Sequence, residues 1–209
     1  LKQKGGIVPR RSPNLHGNAP DESEQVLLII DAINDLEWEG ADPLRRPALA
    51  VAEAIARLKA RATKAAVPTI YVNDNFGLWR SDFQAQVNHC AQSPHGRKMV
   101  ELLRPTQDDY YILKAKHSGF FASPLHLLLE HIKAKELILT GFTTHSCVLF
   151  TAVDAYLRDY RLIIPSDCVA SCDPKDHKRS LEQMESSLNA RIMASSGIRF
   201  KQPRARAGV

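Results

Sequence analysis

Short continuous apolar runs alternate along this chain with longer stretches whose apolar residues recur every three or four positions. The first pattern marks strands buried on both faces, and the second marks helices with one face on a core. Residues 1–24 carry neither pattern. They are rich in Gly, Pro and Asn, and a flexible or surface-draped arm is expected there. Gln25 to Asp31 (QVLLIID) is an apolar run closed by an acid, expected as the first strand. Pro47 to Ala66 is alanine-rich, with Ala48, Val51, Ile55 and Leu58 at helical spacing and the proline in the first turn. Thr69 to Val72 reads as a second strand and Asn73 to Phe83 as a loop. A helix over Gly96 to Leu103 and a strand over Tyr110 to Lys114 follow. Then come a helix over Pro124 to Lys133, a strand over Leu137 to Thr140, and a helix over Thr144 to Arg158. Leu162 to Pro165 is the fifth strand. The last helix runs from Pro174 to about Met193, with Leu181, Met184 and Leu188 on one face.

This alternation predicts a single-domain α/β fold of three layers, a mostly parallel central sheet flanked by helices. The domain is expected over residues 25–198, with a basic tail over 199–209. In such folds ligands gather at the carboxyl ends of the strands. That rule sorts the polar residues. Asp31 ends the first strand, Asn73, Asp74 and Asn75 the second, Lys114 the third, and the turn from Gly141 to Cys147 the fourth. An acid, an amine and a thiol therefore share one rim.

Charge changes the picture less than the net value of +5 suggests. Lys2, Lys4, Arg10 and Arg11 lie in the first eleven residues and Arg199, Lys201, Arg204 and Arg206 in the last eleven, with no acid in either segment. Eight of the 28 basic residues thus sit at the ends, which leaves 20 against all 23 acids in the body. A nucleic-acid-binding domain would concentrate its basic residues on a folded face, so no specific nucleic-acid partner is expected. The apolar runs are too short to span a membrane, and the first twenty residues lack an apolar signal-peptide core. A cytoplasmic protein is the expectation. Four cysteines in a chain this long do not make a disulfide scaffold. Cys168 and Cys172 have no second Cys/His pair at zinc-like spacing, and no metal is expected there.

Cys147 carries the chemistry. It follows an apolar run and a glycine, in what reads as the first turn of a helix. Unpaired N–H groups and the positive end of the helix dipole favour thiolate there, and reactivity near neutral pH is expected. A small buried cysteine that only packs is the other reading of this segment. His145 is two residues away, and residues two apart on a helix do not face each other. Asp31 and Lys114 are better placed, from the strand ends, to take the thiol proton and to hold charge.

Three segments carry a resemblance. Ile29 to Leu36 (IIDAINDL), Leu113 to Leu125 (LKAKHSGFFASPL) and Leu139 to Ser171, with its LTGFTTHSCV start, resemble in order the motifs of the isochorismatase-like cysteine hydrolase superfamily. That superfamily includes nicotinamidases, N-carbamoylsarcosine amidases and ureidoacrylate amidohydrolases. The resemblance implies Asp31 as general base, Lys114 as stabilising cation and Cys147 as nucleophile. Lys114 is chosen over Lys116 because the family lysine stands four positions before the serine, here Ser118. It further implies a cis peptide between Phe142 and Thr143 and an oxyanion hole made by the N–H groups of Thr143 and Cys147. The implied activity is hydrolysis of an amide or ureido C–N bond of a small molecule through a thioester, in a homo-oligomer and without a cofactor.

The chain departs from the family at Ile33, where many members have glutamine, and at His145, where many have aspartate or asparagine. Nicotinamidases bind a metal through an Asp-x-His pattern after the second strand. Here that segment is Asp74–Asn75–Phe76, and no catalytic metal is expected. Asn75, Phe76 and Trp79, with Phe120, either line a substrate pocket or anchor the loop or a subunit interface. Two other functions stand beside the amidohydrolase. One is vinyl-ether hydrolysis of the isochorismatase type, which needs no thiol. The other is a non-catalytic binding or scaffold protein.

Overall fold

The computed structural model describes residues 22–201. The expectations for the arm and the basic tail fall mostly outside them. Thirteen strands and helices follow in order: β1 (Gln25–Ile30), α1 (Asp42–Lys64), β2 (Thr69–Asp74), α2 (Phe83–Gln92), α3 (Gly96–Leu103), β3 (Tyr110–Lys114), α4 (Leu125–Ile132), β4 (Glu136–Phe142), α5 (Leu149–Tyr156), β5 (Arg161–Pro165), β6 (Val169–Ala170), α6 (Pro174–Leu188) and β7 (Arg191–Met193). The strands form one parallel sheet in the order β3-β2-β1-β4-β5-β7, and the short β6 pairs with the end of β4.

All six residues of β1 are buried, because helices cover both faces of the sheet. Leu27 and Ile29 pack on the layer that holds α1, α2 and α3. Val26, Leu28 and Ile30 pack on the layer that holds α4, α5 and α6. The expected α/β architecture is the one observed. No helix among the described residues is long and apolar enough to cross a membrane.

The chain winds outward from β1 through β2 to β3, then returns to the other side of β1 as β4. This reversal opens a crevice beyond the carboxyl ends of β1 and β4, where parallel sheets bind ligands. Gly141 lets the two ends approach. Its φ is +110°, and a Cβ there would overlap the Ile30 carbonyl.

Three expectations are corrected. α1 starts at Asp42 with Pro43 in its first turn, so Pro47 lies inside the helix and removes one backbone bond there. α2 occupies a segment not expected as helix, capped by the Asp82 carboxylate, which accepts the Ala85 N–H at 2.7 Å. α6 stops at Leu188 because Asn189 takes a left-handed conformation, and Arg191–Met193 then pair as β7 beside β5.

Candidate active site

Asp31 is the first residue beyond β1, and its left-handed backbone (φ 49°) turns the chain. One carboxylate oxygen accepts the Asp74 N–H at 2.6 Å. The other lies 2.8 Å from Lys114 Nζ. Lys114 is the last residue of β3, two strands away, and its long stem crosses the end of β2 to reach Asp31. The side chain has no solvent exposure, and its ammonium sits 3.3 Å from Asp74 Oδ2 and 3.5 Å from Cys147 Sγ. Asp31 and Cys147 also interact electrostatically, each shifting the other's proton affinity. The acid, amine and thiol expected on one rim are thus in mutual contact.

Cys147 stands in a single π-helical turn, Thr144–Val148, between β4 and α5 rather than in the first turn of an α-helix. Two contacts from the far side hold this turn. His145 Nδ1 meets Ser171 Oγ at 2.9 Å, and Thr144 Oγ1 meets His177 Nδ1 at 2.9 Å. His145 therefore faces Ser171 and not the thiol. The peptide between Phe142 and Thr143 is cis.

The electrostatics correct one expectation. The Cys147 thiol is pushed up to about 12, first by burial and then by the negative charge of Asp31, against the pull of Lys114. Burial and the Asp31 charge therefore favour the thiol over the thiolate here. Burial also raises Asp31, opposed by Lys114 and by its interactions with Cys147, Lys114 and Asp74. Burial works against charge on Lys114. Asp31, Cys147 and Asp74 together outweigh it and raise the ammonium above its ordinary value.

A cavity of about 360 Å³ opens over the triad. Trp38, Phe76 and Phe142 form its apolar walls, and Asn34, Asp74, His117 and Ser146 supply polar groups. Of the four residues expected to bind substrate, Phe76 lines this cavity and three do not. Asn75 pins its own loop, accepting the Gly77 N–H at 3.0 Å and donating its N–H to the Lys114 carbonyl at 2.9 Å. Trp79 stands outside, 79% exposed. Phe120 is buried in the layer of α4 to α6, packed on Tyr160 and under Arg158. Ile33 is buried in the other layer, where its backbone is paired by Asn73.

Sequence reasoning passed over Trp38 and His117. His117 Nδ1 lies 3.9 Å from Cys147 Sγ, and its ring packs on Phe150. The signal available was its place three residues beyond Lys114, in the turn leaving a rim strand.

These residues do not fit a metal. Asp74 gives its carboxylate to Lys114 and to the Phe76 N–H at 2.7 Å, and Phe76 itself offers no ligand atom. Among the described residues no group of three His, Cys, Asp or Glu is placed to hold an ion.

Comparison with known proteins places the fold. Residues 25–196 match the model of the isochorismatase domain. The isochorismatase family protein YaaI of Bacillus subtilis is 35% identical over 85% of this chain and 97% of its own length. The nicotinamidase/pyrazinamidase PncA of Bacillus subtilis superposes with a TM-score of 0.64 at 25% identity, over 81% of this chain and 99% of that one. The N-carbamoylsarcosine amidase of Thermoplasma acidophilum superposes with a TM-score of 0.65 over 84% and 98%, and at 22% identity that likeness shows the fold alone. The cavity at the β1–β4 reversal and the match across nearly all of the described chain lead to one conclusion: this protein is a hydrolase of the isochorismatase family.

Proposed function

We propose that this protein hydrolyses a C–N bond of a small amide through a thioester on Cys147. The observation that carries the reading is the buried Lys114 ammonium, held within 3.5 Å of the Asp31 carboxylate, the Asp74 carboxylate and the Cys147 sulfur. A thiol with a pKa near 12 is a poor nucleophile until its proton leaves. Asp31 shares the Lys114 ammonium with that thiol, and burial makes its carboxylate a stronger base than an exposed one.

In the proposed sequence Asp31 takes the Cys147 proton as sulfur attacks the carbonyl carbon. Lys114 stabilises the charge in transit. The N–H groups of Thr143 and Cys147 receive the oxyanion. His117, beside the sulfur on the cavity side, protonates the departing nitrogen, which leaves as the amine. Water then gives a proton to His117 as it attacks the thioester. Asp31 returns its proton to sulfur as the carbon–sulfur bond breaks. The thiol makes a vinyl-ether hydrolase the weaker reading, since that chemistry has no use for a nucleophile.

The test is release of ammonia or amine from a panel of small amides by wild type, Cys147→Ala and Asp31→Asn. Release by wild type alone is expected. Full activity in either variant on a substrate that wild type turns over would overturn the scheme.

A further inference from the structure

The cavity over Cys147 is unusual in where its charges lie. Two carboxylates line it, Asp31 and Asp74, and no lysine or arginine does among the described residues. The one fixed cation nearby, Lys114, has no solvent exposure and is shared between both acids and the sulfur. It offers nothing to a ligand. One ammonium against two carboxylates leaves a surplus negative charge, and the Asp74 side chain, 30% exposed, presents it to the cavity. The side chain of Asp31 is only 8% exposed and faces the thiol and the lysine. His117 is the single lining group able to add positive charge, and its Nδ1 is turned to the sulfur.

The walls point the same way. Trp38 and Phe76 are 39% and 43% exposed at the mouth. Aromatic faces attract cations and stack on flat rings, and repel anions. Asn34 and Ser146 are neutral. A ligand carboxylate entering here would lose its hydration and meet no lysine or arginine in return, with Asp74 beside it, and the proton that His117 holds for the leaving nitrogen only offsets the Asp74 charge.

We propose that this pocket takes flat amides that are neutral or cationic and excludes those that carry a carboxylate. The inference rests on the amide-hydrolase reading and narrows it, removing ureido acids and isochorismate-like diacids from the substrate class. Asp74 is the residue that sets the preference.

Three meta-substituted ring carboxamides of similar shape test it: 3-methylbenzamide, 3-carbamoyl-1-methylpyridinium and 3-carbamoylbenzoate. Binding to Cys147→Ala by calorimetry reads charge preference without turnover, and ammonia release by wild type reads it with turnover. The anionic amide is expected to bind roughly tenfold or more weaker than the other two, from one uncompensated like charge at close range. Asp74→Asn should narrow that gap by strengthening the anion relative to the cation. Equal or tighter binding of 3-carbamoylbenzoate, an unchanged gap in Asp74→Asn, or no binding of any of the three would each overturn the proposal. The expected binding order without ammonia release from any of them would leave this inference standing and count against the hydrolysis reading alone.

Discussion

Asp31 is given two opposed effects on Cys147, and two measurements on one variant separate them. Its charge helps push the thiol up to about 12, and in the proposed mechanism its carboxylate receives the proton. Asp31→Asn removes both. Alkylation of Cys147 followed against pH should reach half its maximum at a lower pH in Asp31→Asn than in wild type, because the thiolate no longer faces an anion. Amide hydrolysis should fall by about a hundredfold or more with loss of the base. An alkylation midpoint that stays put or rises would contradict the electrostatics described here. His117 has a different signature. If it protonates the departing nitrogen, His117→Ala should slow a simple alkyl amide by roughly a hundredfold and spare a p-nitroanilide, whose leaving group needs little help. An equal loss on both substrates would assign His117 a packing role beside Phe150. At this scale the sequence was readable where a reactive side chain ends an apolar run, as at Asp31, Lys114 and Cys147. The protonation state of the thiol was not readable. It depends on burial and on the approach of residues from β1 and β3, and no spacing encodes those distances.

Gly141 shows how an element sets the site. β4 must come close enough to β1 for Thr143 and Cys147 to stand over Asp31. The backbone at Gly141 has a conformation that other residues rarely adopt, and it lies against the Ile30 carbonyl. Gly141→Ala is expected to cost about 4 kcal/mol or more, from backbone strain together with overlap against backbone that cannot move aside. Gly77→Ala also has a positive φ (73°) but open space around it, and about 1 kcal/mol is expected there. Chemical denaturation of both variants checks the contrast, and equal losses would mean that the β1–β4 approach is not what the glycine protects. Elements were legible in proportion to their hydrophobic pattern. β3 and α3 lie where their apolar residues put them. α2 was missed because its buried face includes Gln86 among Phe83, Val87 and Cys90, which weakens the apolar signal. β7 was absorbed into the preceding helix because three residues carry no period of their own, and what makes them a strand is the edge of β5.

Taken as a whole, the molecule stores protons that its unfolded chain would release. Cys90, Cys147 and Cys168 are each pushed up to about 12 from an ordinary 9.0, all three chiefly by burial. Tyr71 and Lys114 are raised from 10.0 and 10.5: burial raises Tyr71, while for Lys114 its neighbours' charges outweigh burial. Every one of these shifts has the same sign. Below about pH 9 both states hold the thiol protons and the stabilisation is complete. As pH rises from 9 toward 12 the unfolded chain loses protons that the native state keeps, so stability falls. Each thiol contributes at most about 1.4 kcal/mol per pH unit, and the three together about 4 kcal/mol per unit before Tyr71 and Lys114 add theirs. The urea midpoint should therefore be flat from pH 7 to 8.5 and drop steeply above 9. In a Cys90→Ala, Cys168→Ala double variant the drop between pH 9 and 10 should shrink to roughly half of its wild-type steepness, whatever the variant's stability at pH 7, because Cys147, Cys172, Tyr71, Tyr160 and Lys114 still contribute. Adding Asp31→Asn should flatten it further, since Cys147 then titrates at lower pH in the folded state. A wild-type midpoint that holds steady to pH 10.5 would show that the thiols are not protected by the fold. It would remove the premise that Asp31 must act as the base for Cys147.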